Sequence, residues 1–356
     1  MAGDDGYHER MPDRAGRMLV LLALVAAALA VAVAFSSLAS VPAAAGALAL
    51  DVVPVPLDDA DPSRDRVGAL RYLGGLWLRS NDPRFGGLSD LRVSPDGARL
   101  FAVSDCGRGF TATLALDPDG RLAGLGDARL VDLSGPSGGP LGLGENDAES
   151  LVIDGALEVG FEGKARVQAY DESPAFSGAA RPRPMPAAVG TCGRNGGLEA
   201  MADLGAGRRL LLCEARRGAS MTVPAWVGTG DTWEEREYPL FFEGGWAREP
   251  FRPTGAVRLP DGDVLIVERR FPPMGARLVR LPKAGLEGGR LLEPVEVARF
   301  EAPLTLDNFE GVDARRDNSG RTLVYLLSDD NGCSKRGSAG RTGLQRTLLM
   351  LFALEG

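Results

Sequence analysis

Residues 305–331 read TLDNFEGVDARRDNSGRTLVYLLSDDN. Two strand-like runs flank the turn Asp317-Asn318-Ser319-Gly320. Glu310 sits in the first run, and the second ends at Asp329 and Asp330. In a hairpin, residues equidistant from the turn are neighbours, so these acids meet at the open end. The same grammar recurs upstream, in GGLSDLRVSPDGARLFAVSDCG (86–107), NDAESLVIDGALEVGFEGK (146–164), NGGLEAMADLGAGRRLLLCEAR (195–216) and RPTGAVRLPDGDVLIVERR (252–270). The turn glycines Gly97, Gly155, Gly207, Gly262 and Gly320 are spaced by 58, 52, 55 and 58 residues. That period has room for four strands, the size of a propeller blade.

The second strand of each unit, such as VLIV or LLLC, is apolar at consecutive positions, as expected for a strand covered on both faces. Asp90, Glu149, Glu199 and Glu310 precede the turns, with Thr254 in the fourth unit. Asp105, Glu162, Glu214, Glu268 and Asp329 follow them. Radial arrangement gathers these ends around one mouth of a central channel. Crowded carboxylates repel and need a counter-charge. Calcium, with its oxygen ligands, meets that need. Arginines beyond the second strands (Arg108, Arg166, Arg216, Arg269, Arg270) are the competing source, and would give a ring of purely structural ion pairs.

The expected fold is all-β: a single propeller of six blades rather than five or seven. The strand in GALRYLGGLWLRS (68–80) and the C-terminal RTLLMLFALEG are expected to share a blade, which removes open edges.

The chain has 356 residues, a net charge of −8 and 44% hydrophobic residues, enough for a sizeable core. The negative charge argues against nucleic acid as a partner. The single histidine, His8, lies in the leader. The folded region therefore has no Ser-His-Asp triad, no phosphohistidine route and no His-ligated zinc. Residues 18–35 are uninterruptedly apolar, follow Arg10, Arg14 and Arg17, and precede small residues. Residues 1–46 thus read as a signal peptide or an uncleaved membrane anchor, 47–65 as a linker and 66–356 as the domain. Either leader delivers the domain outside the cytoplasm, secreted, periplasmic or anchored. Such a compartment permits two disulfides in three possible connectivities; spacing suggests Cys106 with Cys333, since both follow the second strand of a repeat, and then Cys192 with Cys213, with a buried Cys213 thiol as the alternative.

The stretches FGGLSDLRVSPDGARLFAVSDCG, NDAESLVID, GFEGKARVQAYD, NGGLEAMA, PTGAVRLPDGDVLIVERRF and DNFEGVDARRDNSGRTLVYLLSDDN together resemble the bacterial phytase-like family, named for the esterase-like activity of phytase. The resemblance covers about residues 66–354. It implies a secreted β-propeller and phosphoester hydrolysis. The acid ring and the resemblance lead to one set of expectations. Glu149, Glu199, Glu310 and Asp329 are the metal ligands, Ca2+ the ion. Glu162, Glu214 and Glu268 are base or supporting carboxylates, and Lys164, Arg216 and Arg269 contact a small anionic or ester substrate. A calcium-dependent lactonase or carboxylesterase is the second expectation, and a non-catalytic binding propeller in the cell envelope the third. Membrane contact is expected only through the leader. The Gly-rich 135–144 reads as a loop before a blade and does not fit a phosphate-binding loop.

Overall fold

The computed structural model describes residues 46–193, 195–243, 249–332 and 345–355. The leader, Trp246 and Cys333 lie outside the described residues. Gly46–Gly356 is one compact unit. It begins with β1 (Asp51–Val55), β2 (Arg66–Val67) and β3 (Leu70–Arg79). Four four-stranded antiparallel sheets follow in chain order. Blade one is β4 (Leu88–Val93), β5 (Arg99–Ser104), β6 (Arg108–Leu116) and β7 (Leu122–Asp132). Blade two is β8 (Ala148–Ile153), β9 (Leu157–Phe161), β10 (Arg166–Glu172) and β11 (Ala175–Arg183). Blade three is β12 (Leu198–Gly205), β13 (Arg208–Cys213), β14 (Thr222–Thr229) and β15 (Thr232–Pro239). Blade four is β16 (Arg252–Arg258), β17 (Val264–Arg270), β18 (Gly275–Leu281) and β19 (Val295–Phe300).

Blade five combines β20 (Phe309–Arg316), β21 (Thr322–Ser328) and β22 (Thr347–Leu354) with β3 and, outside it, β1. The two chain ends therefore close the ring, as expected, with Leu78 opposite Thr347 and Leu70 opposite Leu354. The described residues form five blades, not six. The N- and C-terminal strands that would have supplied another blade complete the fifth, and residues 222–239 are the outer strands of the third. The expected linker 47–65 is also corrected. Its β1 extends blade five, Leu48 packs in the core and Leu57 is fully buried. The proline-rich segment falls at the end of β11, an outer strand, where a missing N–H is tolerated.

The five inner strands β4, β8, β12, β16 and β20 abut in a closed circle. The core is divided into five apolar wedges, one at each blade interface. Phe101, Val103, Phe161 and Tyr170 fill the wedge between blades one and two. Phe300, Phe309 and Phe352 fill that between four and five, with ring centroids 5.6–5.8 Å apart. A strand such as β13 packs on both faces, which explains its unbroken LLLC. Each inner hairpin turns on a glycine at positive φ, from +64° at Gly155 to +98° at Gly262, a conformation costly for other residues.

The channel is plugged at its centre. Arg92, only 6% exposed, donates from Nη1 to Asp90 Oδ1 (3.0 Å) and to the Val312 carbonyl (3.0 Å). Its Nη2 donates to the carbonyls of Met201 (3.1 Å) and Ala256 (2.9 Å). Asp90 Oδ2 accepts the Leu151 N–H at 2.8 Å. One ion pair thus touches the inner strands of all five blades, which only a group at the axis can do. Opposite this plug, the channel is a blind cup.

Candidate metal centre

The cup is built by one repeated irregularity. In every blade the pairing of the first two strands skips one residue of the inner strand, and that residue is Ser89, Glu149, Glu199, Thr254 or Glu310. Such a bulge re-aims the side chain. On the second strands, the equivalent residues at the open end are Asp105, Glu162, Glu214, Arg269 and Asp329. Backbone bonds confirm the register: Asp105 N–H to the Gly87 carbonyl, Glu162 to Asp147, Glu214 to Gly197 and Asp329 to Asn308, at 2.8–3.2 Å. In blade four Arg269 faces Arg252.

These positions, Thr254 excepted, line a cavity of about 410 Å³ together with Asn146, Asp147, Asn195 and Asn331. Its described lining includes eight carboxylates (Asp105, Asp147, Glu149, Glu162, Glu199, Glu214, Glu310 and Asp329) and one cation, Arg269. All four expected ligands, Glu149, Glu199, Glu310 and Asp329, are brought together here, with Glu162, Glu214 and Arg269.

Three expectations are corrected. Glu268 is one residue away from the ring position, and a one-residue step in a strand reverses the face. It lies opposite Pro253, fully buried between blades three and four. There it accepts from Tyr238 Oη (2.6 Å) and Arg277 Nε (2.7 Å). Lys164 sits in the turn after β9, largely exposed, paired with Glu145 at 2.8 Å. Arg216 is exposed in the turn after β13, and neither cation lines the cup. Asp90 is also displaced from the ring, since Ser89 holds that position and Asp90 belongs to the plug.

Sequence reasoning passed over Asp147 as a ligand, although it stands two residues before Glu149. Oxygens of Asp147, Glu149 and Glu162 lie within 4.8 Å of one another. The Glu162 carboxylate is held by the amides of Gly196 and Gly197, the latter at 2.7 Å. A Cβ on Gly197 would stand 2.8 Å from Glu162 Cγ, so only glycine permits this approach.

Burial, then mutual repulsion, raises the carboxyl pKa values. Asp105 is pushed up to about 8 by burial, with Glu310 and Asp147 adding to it. Glu149, Glu199 and Asp329 are raised well above the usual carboxylate range by burial and then by their acidic neighbours. Burial takes Glu310 to about 7, although Arg269 Nε at 3.2 Å opposes the shift. Burial works against the Arg269 charge, but Glu310 and Glu214 outweigh it and raise its pKa. Nη2 of Arg269 is 3.2 Å from Glu214. The guanidinium is therefore committed to two carboxylates, and six acids lack a comparable partner in the cup lining. Asp105 Oδ1 is buried with no hydrogen-bond partner. An orphaned carboxylate oxygen in an all-oxygen donor set fits a hard divalent cation.

Cys192 and Cys213 form a disulfide, with Cα atoms 6.1 Å apart, beside blade three. The expected partner of Cys106, Cys333, lies outside the described residues.

The phytase-like family, described as esterase-like activity of phytase, matches residues 83–332, and the chain belongs to it. A sequence comparison with curated proteins finds no match. Among solved structures, the chain is similar to "Structure of U3-55K" at 11% identity and TM-score 0.42, covering 83% of this chain and 99% of that one. It is similar to the endo-arabinase from Bacteroides thetaiotaomicron VPI-5482 at 10% identity and TM-score 0.42, covering 75% and 94%. It is also similar to the Pseudomonas aeruginosa periplasmic gluconolactonase PpgL at 14% identity and TM-score 0.34, covering 80% and 78%. Likenesses this remote carry no argument about chemistry.

Proposed function

We propose that the cup holds a divalent cation, calcium by the number of carboxylates that crowd one cavity, and that the protein hydrolyses ester bonds, phosphoesters first. The observation that carries this reading is the convergence of Asp147, Glu149 and Glu162 oxygens within 4.8 Å. Asp105, Glu199, Glu310 and Asp329 complete the acidic wall around them. Such a cation supplies positive charge for an ester oxyanion and lowers the pKa of a bound water. The chain's own residues do the rest. Glu214, on the Arg269 side, accepts a proton from the attacking water. Arg269 holds the Glu214 and Glu310 carboxylates in place. The Gly196–Gly197 amides fix the Glu162 carboxylate. The Arg92 plug confines substrate entry to the mouth.

The two ion pairs of Arg269 favour a second reading. Among the described lining residues no other cation is available, so a multiply charged phosphate would depend on metal alone. A carboxyl ester or lactone asks less of the cup. We place the domain outside the cytoplasm, a reading supported by the apolar leader and the Cys192–Cys213 disulfide.

The test strips the protein with a chelator and follows thermal melting as calcium is returned. Ligand binding to the native state raises the melting point by mass action. A rise that is lost in Glu149→Gln, accompanied by phosphate release from a generic phosphomonoester, is expected. Cleavage of a carboxyl ester alone selects the second reading. Absence of any shift with divalent ions overturns the metal site.

A further inference from the structure

We propose that the Cys192–Cys213 disulfide is a positioning element of the cup, which sets the carboxylates of Glu162 and Glu214 for the cation. The inference rests on the cation reading above. The bridge joins the connection from β11 to β12 with the last residue of β13, 21 residues further on. Both of its residues are buried, Cys192 at 5% exposure and Cys213 at 0%. They sit in the wedge between blades two and three, with Val152 and Val167 of one and Leu198, Met201 and Leu211 of the other. The cup lies immediately beyond both ends of the bridge. Glu214 is the residue after Cys213, and Gly196 and Gly197 come shortly after Cys192.

Those two glycines serve both blades. Their amides donate to Glu162 of blade two, the Gly197 bond measuring 2.7 Å. Their carbonyls accept from blade three, Gly197 from the Glu214 N–H at 3.2 Å and Gly196 from the Ala215 N–H at 2.7 Å. Leu198 faces Cys213 in the same ladder. One short stretch thus holds Glu162 by its donors and lies beside Glu214 by its acceptors. Its composition makes it a poor holder. Gly193 and Gly196 take φ of +106° and +97°, and glycine has the most backbone freedom to lose. Upstream come Pro184, Pro186 and a 3₁₀ turn (Ala187–Thr191) that has no side-chain cap. A covalent tie at Cys192 removes chain freedom that this composition leaves. The hold matters because an oxygen of Glu162 stands within 4.8 Å of oxygens of Asp147 and Glu149. Like charges that close drive a carboxylate away unless it is held. Groups that orient a metal's ligands contribute about 10–100-fold to its affinity. A chain whose bridge has not formed would carry the acids without the hold on them.

The test compares the full chain in detergent with Cys192→Ala combined with Cys213→Ala. Calcium is titrated calorimetrically well below the melting temperature, and amide hydrogen exchange is followed residue by residue in chelator. The variant is expected to bind calcium at least about tenfold more weakly. Exchange at Gly196 and Gly197 is expected to quicken about tenfold or more relative to Leu351 of blade five, as local opening requires. Unchanged affinity in a folded variant, or exchange that quickens equally at all three amides, overturns the proposal and leaves the bridge a general stabiliser. If the unaltered protein binds no divalent ion, the cation reading fails on its own, and the exchange pattern still decides whether the bridge holds Glu162. If the alanine pair does not fold, Cys192→Ala with Cys213→Val, which refills the wedge, takes its place. Failure of both to fold assigns the bridge to the fold and overturns the proposal as well.

Discussion

Blades two and four share a backbone and differ in chemistry. Each has a bulge on its inner strand and a residue facing it from the second strand. Blade two places Glu149 and Glu162 there, with Asp147 beside them. Blade four places Thr254 and Arg269, with Arg252 behind. Blade four has an acid as well, but Glu268 is turned into the interface with blade three. The backbone repeat thus supplies five equivalent positions, and the residue type at each decides between cation site and built-in counter-charge. One side of the cup is suited to an ion, and the other already carries its positive charge in Arg269.

The largest effect that separates the two acids is on stability. Glu268→Ala takes the acceptor from buried Tyr238 and leaves Arg277 with Glu296 alone, at 3.3 Å; breaking a buried pair costs about 3–5 kcal/mol. Urea denaturation should show that loss while the calcium-induced rise in melting temperature persists. Glu149→Gln should do the reverse, keeping stability in chelator and losing the calcium response. If Glu268→Ala also abolished the calcium response, the division between the blades would fail.

A smaller effect should appear with pH. An unfolded carboxyl titrates near 4. In the folded cup burial comes first and acidic neighbours second, and they take Asp105 to about 8; burial takes Glu310 to about 7 despite Arg269. Between about pH 4 and 8 the folded chain then binds more protons than the unfolded chain, so stability falls as pH rises through that window. Asp90, at about 7, and Asp313, at about 6, are raised chiefly by burial, lie outside the cup and add a slope that calcium cannot remove. Melting curves in chelator from pH 5 to 8.5 should therefore decline, and excess calcium should flatten them, with its largest stabilisation at the alkaline end. Equal calcium shifts at pH 5 and 8.5 would detach the metal from these carboxyls.

The smallest effect is expected from the rim. Lys164→Ala removes an exposed pair with Glu145, and exposed pairs contribute little. Melting temperature and calcium midpoint should stay at the wild-type values. A shifted midpoint would return Lys164 to the site.

Much of the site was legible because repetition itself is a signal. Acids six to ten residues before and six to nine after the turn glycines of successive units announced the ring, and the chain ends announced their shared blade. What stayed hidden was a matter of single residues. The distance from turn glycine to ring position varies from blade to blade, so counting from the turn made Asp90 and Glu268 look equivalent to Glu149 and Glu162 although each is one step away. Asp147 carried the signal of its spacing to Glu149, but that spacing acquires meaning only once the bulge turns Glu149 toward the channel. Lys164 and Arg216 come near the ends of second strands as Arg269 does, yet Arg269 lies within β17 and they lie beyond β9 and β13, in turns that leave the channel.

The sequence by itself determined the unit, the turn chemistry and the supply of carboxylates, because period, glycine and residue type are local properties. The tertiary structure decided the number of blades, the closure of the channel by Arg92 and the acids that share one cavity. Those depend on how inner strands from distant parts of the chain meet around an axis, and on a one-residue register that no local pattern carries.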